Sequence, residues 1–352
     1  MLDKSLAAAG FEEWREEAGR LRANGRLVGN GVAYWIDKSG LGIYETAAVD
    51  IDPSGAVRVL TGGNSTGQGI ETVLAQIAAD ELRVSPDSIE VIYGDTDLIP
   101  DGVGSWSSRT TVIGGSAVQG AARAAADKAR RVASELLEAA AEDLRLADSR
   151  ISVAGSPERG LTLGEIAAAC DPVSSARRGE EPGLGAKHIY FDERMNYPYG
   201  VNLVQVELDG ETGEVKIRRC FVSCECGRAI NPMLVEGQTA GGVAQGLGGA
   251  LLEEFLYDEA GQPRCASFVD YLLPTANEVP RVDVLVCEDA PTPGNPLQTK
   301  GVGESGIVGM GAAIANAVCD ALGRPDAITS LPITPERVRQ LVAEASLAAV
   351  SR

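Results

Sequence analysis

One carboxylate stands inside a glycine-rich run, Gln298-Thr-Lys-Gly-Val-Gly-Glu-Ser-Gly-Ile-Val-Gly-Met-Gly311, where Glu304 precedes an apolar, small-residue stretch through Ala312, Ala313, Ile314, Ala315, Ala317 and Val318. That stretch predicts a helix, and a helix N-terminus offers unpaired N–H groups and partial positive charge to a carboxylate or a bound anion. Gly301, Gly303 and Gly306 carry no Cβ, so the backbone can turn tightly and a large ligand can approach it. The chemistry available is that of a positioned base beside a bulky ligand; the structural alternative is a favourable helix-end charge after a tight turn.

Gly301-x-Gly303-x-x-Gly306 is a formal match to a dinucleotide fingerprint. Its context is wrong for a nicotinamide dehydrogenase: Asn295-Pro-Leu-Gln-Thr-Lys300 is not an apolar strand, and no βαβ unit with a following acidic residue is evident. Three polar loops offer a different cradle, Thr61-Gly-Gly-Asn-Ser-Thr-Gly-Gln-Gly69, Gly94-Asp-Thr-Asp97 and Gly102-Val-Gly-Ser-Trp-Ser-Ser-Arg-Thr-Thr111. The first and third precede helices and combine backbone N–H groups with hydroxyls, the donors that hold a phosphorylated cofactor, and Arg109 adds a forked cation.

The elements that must position these loops follow from periodicity and punctuation. Residues 5–24 predict an amphipathic helix ending at Asn24-Gly25, 26–36 a strand interrupted by glycine, and 47–60 a hairpin turning at Asp52-Pro-Ser-Gly55. Helices are expected near 71–82, 115–145 and 233–254, a strand at 89–93, a second hairpin from Asn202 to Ile217, and a C-terminal helix with Thr334 as N-cap and Pro335 at its first position. Glycines in the 237–249 segment each cost a helix about 1 kcal/mol against alanine, so close packing has to compensate. The hairpin, loop and helix order recurs in both halves. The expected fold is therefore α+β, two similar units of mixed or antiparallel sheet with packed helices, at 1–170 and 188–352 with a linker at 171–187.

At 352 residues the chain has room for two ordinary cores, and a net charge of -19 argues against nucleic acid or an anionic membrane as partner. No apolar run is read as a membrane span and no signal pattern opens the chain, which reads as cytoplasmic. Seven scattered cysteines fit a reducing compartment; Cys224-Glu-Cys226, the one close pair, reads as buried core rather than metal ligand. The single histidine, His188, leaves most imidazole-based hydrolase arrangements without a base.

Taken in order, Thr66-Gly-Gln-Gly-x-Glu-Thr72, Gly94-Asp-Thr-Asp97, Ser108-Arg-Thr110 with Gly114-Gly115, Gly227-Arg-Ala-Ile-Asn-Pro232 with Glu236-Gly-Gln238 and Gln245-Gly246, Asp270-Tyr271 with Pro274-Thr275, and Lys300-Gly-Val-Gly-Glu304 make a motif series. The series resembles the C-terminal half of the molybdopterin-binding large subunit in the xanthine dehydrogenase and aldehyde oxidase family. It departs from that pattern at Ile70, where many relatives carry His, and at Cys224-Glu-Cys226 before Gly227.

The resemblance implies a molybdenum–molybdopterin cofactor, as the cytosine dinucleotide. Gln68 and Gly69 would lie against its phosphate or pterin end, Ser108, Arg109, Thr110, Gly114 and Gly115 would hold the pyrophosphate and nucleotide, and Lys300, Gly301, Val302 and Gly303 would pass beside the pterin. Glu304 would be the general base in the oxidation of an aldehyde or N-heterocycle with water as oxygen source. The protein itself would supply no metal ligand. It also implies partners: a subunit carrying the N-terminal molybdopterin-binding half, and subunits with iron–sulfur clusters and FAD to take the electrons. A non-catalytic scaffold or cofactor-insertion subunit is the competing expectation.

Overall fold

The structure is a computed structural model that describes residues 1–99 and 101–350, the last six of these by backbone alone. The chain forms two compact units, and neither is a sequential half. The first comprises Met1–Asp37, Tyr197–Ala290 and Val302–Arg352; the second comprises Lys38–Asn196 and Pro291–Gly301. The expected boundaries are thus corrected, because pairing across long sequence separations draws them. The supposed linker is also structured: Asp171 caps the helix Pro172–Arg178 through its carboxylate, and Leu184–Phe191 is a strand along Tyr44–Ile51.

The expectation of two similar α+β units holds. In the first unit, Tyr199–Leu208 and Val215–Glu225 form an antiparallel pair, flanked by antiparallel Leu27–Ile36 and parallel Val282–Cys287. In the second, Tyr44–Ile51 and Val57–Thr61 form the pair, flanked by antiparallel Leu184–Phe191 and parallel Ile89–Ile92. Both sheets therefore run parallel partner, second hairpin strand, first hairpin strand, antiparallel partner. A small three-stranded sheet, Leu144–Ala147, Arg150–Val153 and Ser156–Thr162, adds to the second unit. It takes the end of the helix expected over 115–145, which stops at Leu137.

In the first unit the helices Pro232–Leu251 and Met310–Leu322 cover one sheet face, with Val204, Val206, Val222, Leu247, Ile314 and Val318 in the core. The approach is unusually close because Gly29 and Gly31 sit under the second of these helices. A Cβ at either would strike its backbone at Ala313, Ala317 or Ala321. That contact explains why 27–36 is one unbroken strand rather than an interrupted one. The opposite face is covered by Phe11 and Trp14 packed with Val201, Leu203 and Phe221. They come from the predicted N-terminal helix, which breaks at Gly10 (φ 61°) into Leu2–Ala9 and Phe11–Ala23. Strand Tyr199–Leu208 is consequently buried at almost every position.

The second unit packs Ile70–Leu82 and Gly115–Leu137 on one face only, and Tyr44–Ile51 shows the matching strict alternation of burial. One sequence expectation needs adjustment: Ser305–Leu322 is long and apolar enough by composition to cross a bilayer. In the fold it is broken at Gly309, and its buried residues belong to the core beside the first sheet.

Candidate functional site

In the second unit the polar loops are stitched to one another. Asn64 and Ser105 exchange hydrogen bonds: the Ser105 N–H donates to Asn64 Oδ1 (3.1 Å), the Ser105 hydroxyl to the Asn64 carbonyl (2.6 Å), and the Asn64 N–H to Ser105 Oγ (3.0 Å). Thr110 Oγ1 donates to the same Ser105 oxygen at 2.8 Å. Gln68 folds over its own loop, donating to the Asn64 carbonyl (3.0 Å) and accepting from the Thr66 N–H (2.5 Å). Gly67 and Gly69 hold φ of 98° and 77°, and a Cβ at Gly67 would meet only open space. This stretch therefore presents bare backbone, then starts the helix Ile70–Leu82 at Gly69.

Arg109 has a different place from the one expected. It is fully buried, and its guanidinium donates to Glu45 Oε2 (2.6 Å) and to the carbonyls of Gly104 (2.6 Å), Tyr44 (2.5 Å) and Leu41 (2.7 Å). With those four bonds it is a tie inside the unit, not a phosphate clamp. Its partner Glu45 is equally buried and also accepts from the Val103 N–H. Gly114 and Gly115 also lie inside the unit. Both are buried, and a Cβ on Gly115 would meet Ile77 and Leu297 at 2.8 and 3.0 Å, so it sets the spacing of two helices. Gly114 closes a π-helical turn, Thr110–Gly114, an uncommon geometry that recurs near functional sites.

Ser107 and Ser108 both adopt left-handed backbone, φ 46° and 48°, a costly conformation for residues with a Cβ. The turn is held from outside it. The Gly40 N–H donates to the Ser107 carbonyl (3.1 Å), and Gly301 lies so close to the Ser108 carbonyl that no Cβ fits. Gly301 is fixed in turn by its N–H donating to Oγ of the fully buried Ser39 (3.0 Å). Lys300 is buried just before it, after a turn in which Asn295 bonds both ways with Thr299. Ser108, Thr110, Lys300 and Gly301 thus belong to one connected set of loops.

Within the first unit, Val302 and Gly303 lead to Glu304, which occupies the N-cap position of the short helix Ser305–Val308 and is exposed. Its mounting is rigid. Gly306 abuts Gly242 and Val243 of the helix Pro232–Leu251, where a Cβ would strike backbone, and Gly246 receives Met310. This is the compensating contact that the glycines of 237–249 required. The Gly306 carbonyl accepts from Asn202 Nδ2 (3.3 Å), and Asn202 Oδ1 accepts from Trp35 Nε1 (2.8 Å).

Sequence reasoning missed Glu45, Ser39, Asn64, Ser105, Asn202 and Trp35. Asn64 and Ser105 lie within loops already singled out, so loop polarity was the available signal. Glu45, at a position whose alternation with Ala47, Val49 and Ile51 puts it on the buried face of its strand, was another. Ser39 and Asn202 give no local signal, because their partners lie far along the chain. Glu225 is a further omission: buried at a strand end, it accepts from the N–H groups of Gly227, Asp289 and Ala290 at 2.8, 2.9 and 3.2 Å. All seven cysteines are buried and unpaired by disulfides, and burial pushes the Cys220, Cys224 and Cys226 thiols up to about 12. Cys224-Glu-Cys226 is therefore core, as read. His188 packs its ring against the helix Gly115–Leu137 at Gly120.

Comparison with known proteins agrees with this architecture. Residues 4–280 match the family model described as a molybdopterin cofactor-binding domain. The gamma subunit of the 6-hydroxypseudooxynicotine dehydrogenase complex of Paenarthrobacter nicotinovorans is 53% identical over 336 residues, spanning 96% of this chain and 42% of that one. The carbon monoxide dehydrogenase large chain of Afipia carboxidovorans is 39% identical over 297 residues, spanning 84% of this chain and 36% of that one. Quinoline 2-oxidoreductase from Pseudomonas putida 86 superposes with a TM-score of 0.88 at 35% identity, over 97% of this chain and 45% of its own. The chain thus spans less than half the length of these relatives. On these matches and on its paired α+β units, the chain belongs to the molybdopterin cofactor-binding domain family, within the xanthine dehydrogenase and aldehyde oxidase group.

Proposed function

We propose that this chain forms part of the substrate-oxidising subunit of a molybdenum hydroxylase acting on an aldehyde or N-heterocycle with water as oxygen source, and that Glu304 is its general base. The observation that carries the reading is the mounting of Glu304: an exposed carboxylate on a backbone that Gly306, Gly242 and Asn202 hold fixed. A base works by geometry first, within hydrogen-bond reach of the proton it removes.

The second unit fits a large phosphorylated organic group by the chemistry of its donors, which are hydroxyls, a carboxamide and glycine backbone rather than bulky side chains. Gln68, Gly69, Ser108, Thr110, Lys300 and Gly301 would hold a molybdopterin there, in its cytosine dinucleotide form, and Val302 and Gly303 would lead from it to the base. Arg109, Gly114 and Gly115 keep their part as support beneath those loops. When bound, the group supplies the two-electron redox chemistry and a Lewis-acidic metal. The chain's own residues position it, and the Glu304 carboxylate accepts a proton and returns it to solvent.

Glu304 is open to water on this chain, whereas a base gains from a water-excluded site. Its cover would come from further polypeptide, the portion of the relatives' length that this chain does not span, and iron–sulfur and FAD subunits would accept the electrons. The proposed location of the complex is the cytoplasm.

Glu304→Gln in the assembled complex tests the assignment. Turnover should fall about 100- to 10,000-fold, with molybdenum content per complex unchanged. Unaltered turnover would refute the base and favour a scaffold role, and loss of molybdenum would move Glu304 to cofactor retention.

A further inference from the structure

The largest cluster of exposed apolar side chains in the first unit lies on the irregular segment between the helix Pro232–Leu251 and the strand Val282–Cys287. Phe255, Leu256, Tyr257, Phe268, Val269, Leu272 and Leu273 all stand in water, with Phe268 78% and Val269 84% exposed. Large side chains so exposed and so close in one segment mark a surface that is covered in use.

The segment is not loose. Phe255 stacks against Tyr257 and Tyr271 with ring centroids 5.6 and 5.8 Å apart, Tyr271 donates to Glu253 (2.7 Å), and the Arg264 N–H donates to the Leu256 carbonyl (2.7 Å). Buried Cys265 anchors it, its sulfur accepting from the Leu256 N–H and its thiol donating to the Glu254 carbonyl. Its backbone is therefore ordered before anything binds, which lowers the entropy that association must offset. Aromatic residues at the centre of such a patch are the type that dominates binding energy at protein interfaces.

We propose that this patch, centred on Phe268 and Val269, is the docking surface for the polypeptide corresponding to the length of the relatives that this chain does not span. The inference rests on the function proposed above and names the face that its partner uses. The relatives carry more than half of their length outside the matched region, since this chain covers 42% of one and 45% of another. A second copy of this chain is the poorer occupant. Each copy carries a net charge of -19, and the patch is edged by Glu254, Asp258, Glu259, Asp270 and Glu278 against Arg264, so two copies would repel there. A complementary face on that polypeptide would carry apolar residues bordered by basic ones.

The test places a photo-crosslinking phenylalanine analogue at Phe268 in the full chain, purified by an affinity tag from the cells that make it, with a control at exposed Val173 of the second unit. The expected result is a cross-link from 268, absent at 173, to peptides similar to the unmatched portion of the 6-hydroxypseudooxynicotine dehydrogenase gamma subunit. Phe268→Ser with Val269→Ser should cut co-purification of that polypeptide at least tenfold while the chain's own melting temperature stays unchanged. A cross-link to a second copy, or none, overturns the proposal, as does undiminished co-purification of the double variant. Molybdenum measured on the same material separates the two readings: a molybdenum-containing complex without the 268 cross-link defeats the docking surface alone, and material with neither molybdenum nor partner defeats both.

Discussion

The two sheets share one strand order, yet the first is buried on both faces and the second on only one. The difference is made by Leu2–Ala9 and Phe11–Ala23, a helical pair with no counterpart among the described residues of the second unit. Glycine is used differently as well. In the first unit it lets backbones touch, at Gly29, Gly31, Gly242 and Gly306, and the resulting apolar contacts fix Glu304 from below. In the second such contacts recur at Gly115 and Gly301, but glycine also frees loop backbone, at Gly67 and Gly69, and polar bonds among Asn64, Ser105, Arg109 and Glu45 add to the fixing. One architecture thus supports its loops by close packing in one unit and by close packing joined to buried polarity in the other.

The sharpest way to break that contrast is Arg109→Met. It leaves the Glu45 carboxylate buried without its counter-ion, and removing one partner of a buried pair costs about 3–5 kcal/mol. Denaturant unfolding should show that loss, with partial recovery when Glu45→Gln is added; a variant as stable as the parent would mean the loops do not depend on the pair.

Gly306→Ala comes next, at about 1–3 kcal/mol of overpacking, because its Cβ would strike Thr239 and Val243. Gly67→Ala should cost only about 1–2 kcal/mol, through the left-handed backbone, since the space beside it is open. Thermal melts of the two variants check the ranking, and equal losses would show that the two kinds of glycine are not distinct.

Near neutral pH the smallest effect is that of the thiols. Cys220, Cys224 and Cys226 are pushed up to about 12 when folded, against about 8.5 for an unfolded cysteine. Their neutral form is the favoured one in the fold, so this contribution is whole below the unfolded value and is lost as pH rises towards the folded one. Iodoacetamide at pH 8 should leave all three unmodified until denaturant is added, and stability should decline between about pH 8.5 and 12. Prompt native-state alkylation would contradict the burial that makes the first unit's core continuous.

Local features were the ones legible in the sequence. The turn at Asp52–Gly55, the helices near 71–82 and 233–254 and the capped start at Thr334 all follow from residues a few positions apart, and the recurrent order announced two related units. Unit boundaries were not legible, because Leu27–Ile36 finds its partner in Tyr199–Leu208 and no local pattern encodes that register. The same limit applies to the candidate site. The motif series pointed to loops that the second unit ties together, but a sequence cannot tell an arginine facing solvent from one facing Glu45, nor a glycine in open space from one wedged between helices.

The chain passes between its units at 37/38, 196/197, 290/291 and 301/302, and that weave orders events during synthesis. Strand Leu27–Ile36 leaves the ribosome well over a hundred residues before its strand partner, and earlier still before the helix Met310–Leu322 that lies on it. The second unit likewise waits for Pro291–Gly301 to close behind Ser107 and Ser108. The second unit can close once Pro291–Gly301 has emerged, whereas the first still waits for the segment from Val302 onward, so the two complete in that order. Such late closure exposes the early apolar strands for most of translation and makes this chain a natural client for chaperones.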